Sequence, residues 1–227
     1  MSRNQSHFST IFSAISSALS SLAFLAVLAA SPTLAQDGAP NGEWPSYGGD
    51  LGHTRYAALD QINADNFADL DIAWRFKTDN FGPSPEYRFQ STPLMVDGVL
   101  YSTAGSRRTV VALDAATGEL LWFYNLDEGE RAENAPRQLS GRGLAFWQEG
   151  SEARILYVTP GYQLIALDAA TGIPDSEFGD AGIVDLKRNL DQQVDLETGD
   201  IGLHATPIVA KDVVIVGAAH RTGGNPR

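Results

Sequence analysis

Residues able to do chemistry are few in this chain of 227 residues, and their spacing excludes more than it offers. Its 4 histidines stand at positions 7, 53, 204 and 220, and no two are spaced to grip a metal from one helix face or one hairpin. Cysteine is absent, which removes disulfides, thiolate metal sites, cysteine nucleophiles and lipid attachment through an N-terminal cysteine. There is no G-x-S-x-G, no H-E-x-x-H and no P-loop lysine motif, so serine-hydrolase, zinc-protease and nucleotide-hydrolysing chemistries have no foothold. With 28 acidic against 16 basic side chains the formal charge is -12, and no basic stripe of the kind a phosphate backbone demands is present; nucleic acid is not an expected partner. A hydrophobic share of 43% with 19% charged residues belongs to a chain that folds around a core.

The polar residues that do recur come as a block. LDAATG occurs at 113–118 and again at 167–172, an offset of 167 − 113 = 54 positions. A repeat of that length is a whole supersecondary unit. In each copy the Asp carboxylate is placed to accept backbone N–H groups of its own turn, the Thr hydroxyl does likewise, and Gly takes the positive φ that closes the turn. Trp122, eight positions after Asp114, is placed to lay its ring between neighbouring units. In the second copy Ser176 stands at that position within IPDSEFGDAG, which reads as an insertion in which Phe178 takes over.

The elements around the block are strands. STPLMVDGVLYSTA (91–104) offers two strands about Asp97-Gly98, a hairpin-turn dipeptide, and TVVALDAATGELLWFYN (109–125) offers a third strand, the turn and a fourth. RILYVTP (154–160) and YQLIALD (162–168) repeat the pattern, and a third unit begins at TPIVAKDVVIVGAAH (206–220) with Lys211-Asp212 at its turn. Four short antiparallel strands per unit make a propeller blade, and a blade buries both faces only against neighbours.

Ahead of the repeats, residues 1–35 read as a signal peptide: Arg3 is the only formal charge before Asp37, LAFLAVLAA (22–30) is a compact apolar run, and Thr33 and Ala35 supply the small residues of a cleavage site. Cleavage places the mature chain in the periplasm. The uncharged stretch from Ile11 to Ala30 is also about long enough to span a bilayer, so an inner-membrane anchor is the competing expectation. Residues 36–80 read as an N-terminal wrapping segment, with a short helical stretch through Ile62, Phe67 and Leu70 leading into a strand at 72–76; residues 81–227 carry the blades.

Ala112, Asp114, Thr117, Gly118 and Trp122 form the pattern A-x-D-x-x-T-G-x-x-x-W, which resembles the tryptophan-docking motif of the pyrroloquinoline quinone (PQQ) dehydrogenases. That family comprises eight-bladed quinoprotein propellers, among them methanol, alcohol and membrane glucose dehydrogenases. The segment WPSYGGDLGHTRYAALDQINADNFADLDIAWRF (44–76) is similar to the start of the glucose dehydrogenase branch, and the lack of adjacent cysteines agrees with that branch. The resemblance implies an all-β fold, a partial eight-bladed β-propeller of four-stranded antiparallel blades preceded by a signal peptide. It also implies an N-terminal fragment, two full repeats and the start of a third, of a longer enzyme.

What the resemblance implies for the site is specific. SGRGLAFW (140–147) is similar to the R-G-L-A-Y-W segment of the alcohol dehydrogenases, which assigns to Arg142 a place against the quinone oxygens; the competing reading is an arginine paired with a carboxylate for blade packing. Gln90 stands where the alcohol enzymes carry a PQQ-contacting Glu, His204 falls near a Thr that binds a PQQ carboxylate, and GAAHRTGG (217–224) matches the loop over the quinone, making Ala219, His220, Arg221 and Thr222 candidates. A calcium-ligand Glu of the methanol-type enzymes aligns roughly with Thr222, and the family's catalytic Asp falls later, so neither a metal ligand nor a catalytic base is assigned here. The implied cofactors are PQQ and Ca2+ or another divalent cation. The implied partners are a sugar or alcohol substrate, a respiratory electron acceptor (quinone or cytochrome c) and, peripherally, the membrane. A non-catalytic propeller of similar repeats, a scaffold or a sensor ectodomain, is the alternative.

Overall fold

The apolar runs on either side of Asp97 and Gly98 pair as a hairpin because both turn residues adopt the left-handed backbone, φ 49 and 77, that a two-residue turn between twisted strands requires. The computed structural model describes residues 38–220; the expected signal peptide, Arg221 and Thr222 lie outside them. From this hairpin grows a four-stranded antiparallel sheet in simple sequence order: β1 (Leu94–Val96), β2 (Val99–Ala104), β3 (Thr109–Asp114) and β4 (Leu120–Tyr124). A second sheet repeats the order with β5 (Ala145–Glu149), β6 (Glu152–Val158), β7 (Gln163–Asp168) and β8 (Ile183–Asp185). A third unit contributes the hairpin β9 (Ile208–Ala210) and β10 (Val213–Ile215), turning at Lys211 with φ 55.

The inner strands read as unbroken apolar runs because both of their faces are buried. Val110 and Ala112 of β3 point into a core shared with Ile155, Tyr157, Ile165 and Leu167 of the second sheet, while Val111 and Leu113 point the other way, onto Trp74, Phe76 and Phe81. The second sheet repeats the alternation: Leu156, Val158, Leu164 and Ala166 face Ile201, Leu203 and the β9–β10 hairpin. Each fully buried Ile or Leu is worth about 1.5–3 kcal/mol. The layers are therefore held chiefly by the apolar surface between sheets.

The repeated turn supplies the docking point. In the first copy Asp114 Oδ1 accepts from Ala116 N, Thr117 N and Thr117 Oγ1, and in the second Asp168 Oδ1 accepts from Thr171 N and Thr171 Oγ1. Trp122 donates its Nε1–H to Ala169 O at 3.0 Å, and its ring lies so close over Gly172 that a Cβ there would fall 2.4 Å from it. Trp74 makes the same contact one unit earlier, donating to Ala115 O at 3.1 Å and covering Gly118. Glycine is required at both positions, by the close approach of the ring as much as by a φ of 73 and 71.

A third turn of the same kind closes at Asp195, where Oδ1 accepts from Glu197 N, Thr198 N and Thr198 Oγ1. Here Lys187 Nζ, not an indole, donates to the carbonyl after the Asp, Leu196 O, at 2.9 Å. Burial lowers the Lys187 pKa. Nearby, Arg131, on the single helical turn Glu130–Glu133, grips Asp185 of β8 with Nη1 at 3.0 Å and Nη2 at 2.6 Å and Gly161 O with Nε at 2.7 Å. This pairing is first among the causes that hold the Asp185 carboxyl down to about 2.

Two sequence expectations are corrected. The helical stretch through Ile62, Phe67 and Leu70 is no helix; only the three-residue 3-10 turn Phe67–Asp69 forms, and all three side chains are exposed, so their helical spacing serves no buried face. Residues 72–76 join no sheet among the described residues, and the segment is anchored instead by Trp74 and Phe76 packing on the first sheet. Phe178 does pack in the insertion, in one cluster with Val209 and Val214 of the third unit.

Candidate functional site

Three consecutive units enter their first strand through equivalent lead-ins: Gln90-Ser91-Thr92-Pro93 before β1, Arg142-Gly143-Leu144 before β5 and His204-Ala205-Thr206-Pro207 before β9. Backbone bonds tie them edge to edge, Thr92 N donating to Arg142 O at 2.9 Å and Arg142 N to His204 O at 3.1 Å. The glycines flanking Arg142 make this approach feasible. A Cβ on Gly143 (φ 134) would sit 2.8 Å from Thr92 O, and one on Gly141 (φ 69) would press on the Arg108 guanidinium at 3.0 Å. The G-R-G spelling is thus a steric requirement that presents one arginine between two close backbone contacts.

The lead-ins open onto a cleft of about 800 Å³. Gln90, Arg142, His204 and Ala219 all line it, as do Tyr87, Arg88 and Arg137. His204 donates its Nε2–H to Gln90 Oε1 at 2.8 Å, joining the first and third lead-ins directly. Its pKa is lowered by burial and then by the positive charge of Arg108, Arg142, Arg137 and Arg88, so the ring is neutral at neutral pH. Arg142 is exposed, and among the described residues neither it nor Arg88 nor Arg137 forms an ion pair. The blade-packing reading of Arg142 therefore lacks its carboxylate there.

His220 is not among the lining residues. Its Nδ1 bonds Asp200 O at 2.7 Å and its ring is exposed, while Ala219 is fixed by paired backbone bonds with Gly202. Arg88, Arg137 and Tyr87 escaped sequence reasoning. The available signal was the crowding of arginine at 131, 137 and 142 in a chain of charge -12. A second hollow, about 370 Å³ between residues 45–53 and strands β5 and β9, sets Asp50, Glu149 and Asp212 against one Lys211 and is unsuited to an anion.

Stacked four-stranded antiparallel sheets with docking tryptophans, and a cationic cleft where their first strands begin, define a sector of a β-propeller. The chain belongs to the PQQ family described as glucose/ethanol/alcohol dehydrogenase, beta-propeller domain, which it matches over residues 44–227. It is 39% identical over 142 residues to the dehydrogenase subunit of alcohol dehydrogenase (quinone) of Gluconobacter oxydans (strain 621H), covering 62% of this chain and 17% of that protein. The glycerol dehydrogenase large subunit of the same organism is 30% identical over 186 residues, covering 78% and 24%. Among solved structures, quinohemoprotein alcohol dehydrogenase from Comamonas testosteroni superposes with a TM-score of 0.62 at 28% identity, over 82% of this chain and 24% of that one. The chain spans no more than about a quarter of the length of these relatives.

Proposed function

We propose that the chain forms the first blades of an eight-bladed propeller that binds PQQ and oxidises an alcohol or sugar hydroxyl in the periplasm, with electrons leaving to a respiratory quinone or cytochrome c. The observation that carries this reading is the convergence of Arg88, Arg137 and Arg142, none ion-paired among the described residues, with Gln90 and His204 on one cleft of an otherwise acidic protein. PQQ has three carboxylates and an ortho-quinone, and such a donor set fits it.

Arg142 offers a planar fork to two adjacent ligand oxygens and stabilises negative charge that develops there. His204, kept neutral, directs its Nε2–H to Gln90 Oε1, which leaves the two Gln90 amide N–H donors for the ligand. Backbone bonds through Thr92, Arg142 and His204 fix the spacing of the lead-ins that carry these donors, so the main chain needs little ordering on binding. Arg221 and Thr222 extend the candidate set beyond the described residues. When bound, PQQ supplies a two-electron acceptor. Among the described residues no group of three or more His, Cys, Asp or Glu could hold the divalent cation, so no role is derived for it.

The test is reconstitution of the complete gene product, purified without cofactor, with PQQ and Ca2+, followed by assay with a panel of alcohols and aldoses and a dye acceptor. Saturable PQQ binding with dye reduction is expected. A folded protein that binds no PQQ would leave the scaffold or sensor alternative standing.

A further inference from the structure

Arg108 lies beneath the cleft, only 4% exposed, and among the described residues it meets no carboxylate at ion-pair distance. Its guanidinium is solvated by four backbone carbonyls instead. Nε donates to Leu139 O at 3.0 Å, Nη1 to Val158 O at 2.7 Å and Leu203 O at 3.0 Å, and Nη2 to Arg137 O at 3.1 Å. Four of its five N–H groups are thereby used. Burial pulls the Arg108 pKa down to about 10 against the nearby negative charge of Glu128 and Glu86, and the backbone is held in the left-handed region at Arg108 (φ 55) and again at Leu139 (φ 69).

The carbonyls it holds are informative. Leu203 immediately precedes His204, Arg137 and Leu139 precede Arg142, and all three line the cleft. Gly141 rests on the guanidinium itself. Val158, at the end of β6, ties the group to the second sheet. One side chain from the β2–β3 loop thus grips both walls from which Arg142 and His204 project.

We infer that Arg108 is a positioning residue for the cleft: its planar fork holds the lead-ins of Arg142 and His204 at the separation a polycarboxylate ligand requires. This rests on the reading of the cleft as a PQQ site. Lysine keeps the charge and the aliphatic stem but has three tetrahedrally arranged donors, so it cannot serve four carbonyls in one plane.

The experiment compares Arg108→Lys, Arg108→Gln and Arg131→Lys with wild type in the complete gene product. Arg131 is the control, a buried arginine that grips Asp185 and does not line the cleft. Thermal melting of the apo-proteins, PQQ affinity by titration and the absorption band of the bound quinone are read for each. Arg108→Lys and Arg108→Gln, whichever fold, are expected to weaken PQQ binding about 10-fold or more and to shift the bound-quinone band, because Arg142 is displaced from the ring oxygens. Arg131→Lys is expected to lower the melting temperature with affinity and band unchanged. Wild-type affinity and band in a folded Arg108 variant overturns the inference, as does an Arg131→Lys protein that loses PQQ to the same degree. A wild-type protein that takes up no PQQ overturns the function itself, and this inference with it.

Discussion

The turns at 114–118 and 168–172 have the same five residues and closely similar bonding, whereas the lead-ins differ in both letters and placement: Gln90 and His204 stand four residues before their first strands and Arg142 three before its own. The first set solves one packing problem repeatedly, a carboxylate that closes a turn and a glycine that admits an indole. The second set lines one cleft, and on the proposed reading each member supplies a different donor to the same ligand.

The comparison is broken most forcibly at the indole. Trp122→Ala removes the ring from Gly172 and the bond to Ala169 O, and is expected to cost about 3 kcal/mol, read as a lowered urea midpoint of the complete protein. Gly172→Ala attacks the same contact from the other side, with a Cβ driven into the ring at φ 71, and is expected to cost about 2 kcal/mol. An unchanged midpoint in either variant would mean that the repeated turn is not a docking point.

Substitutions at the lead-ins sharpen the other half. Gln90→Ala removes an exposed amide and is expected to change stability by less than about 0.5 kcal/mol while weakening PQQ binding several-fold. Equal losses of stability and affinity would place Gln90 with the packing residues. The smallest effect is a pH dependence. The folded-state pKa of His204 is lowered, so its contribution to stability is present above the unfolded value near 6.5 and lost as pH falls through the folded value. Thermal melts between pH 7.5 and 5 are expected to fall less steeply for His204→Gln than for wild type, and parallel curves would contradict the assigned neutral state.

The turns, the hairpin at Asp97-Gly98 and the two-faced strands were legible in the sequence because each depends on local letters at short spacing. The helix through Ile62, Phe67 and Leu70 was a false signal, since spacing alone does not say whether a face meets anything. The turn at 195–199 has the same D-x-x-T-G letters but lies off the 54-residue offset, and Lys187 replaces the indole that would have drawn attention to it. Arg108 was illegible for a different reason. Its partners are main-chain carbonyls between residues 137 and 203, and a carbonyl has no letter of its own. Arg88 and Arg137 reach the cleft from loops whose course only the packing of neighbouring sheets determines.

The central claim is that Arg142 faces a ligand and not a carboxylate of its own fold. The direct measurement is PQQ titration of the purified apo-form of the complete protein, wild type against Arg142→Lys and Arg142→Ala, read by quinone absorbance and by turnover. Both variants are expected to keep the wild-type melting temperature within a degree or two, with affinity and turnover falling about 10-fold or more for Lys and further for Ala, since a lost charged hydrogen bond is worth about 1.5–3 kcal/mol. Wild-type affinity and turnover in a folded Arg142→Ala protein would contradict the account.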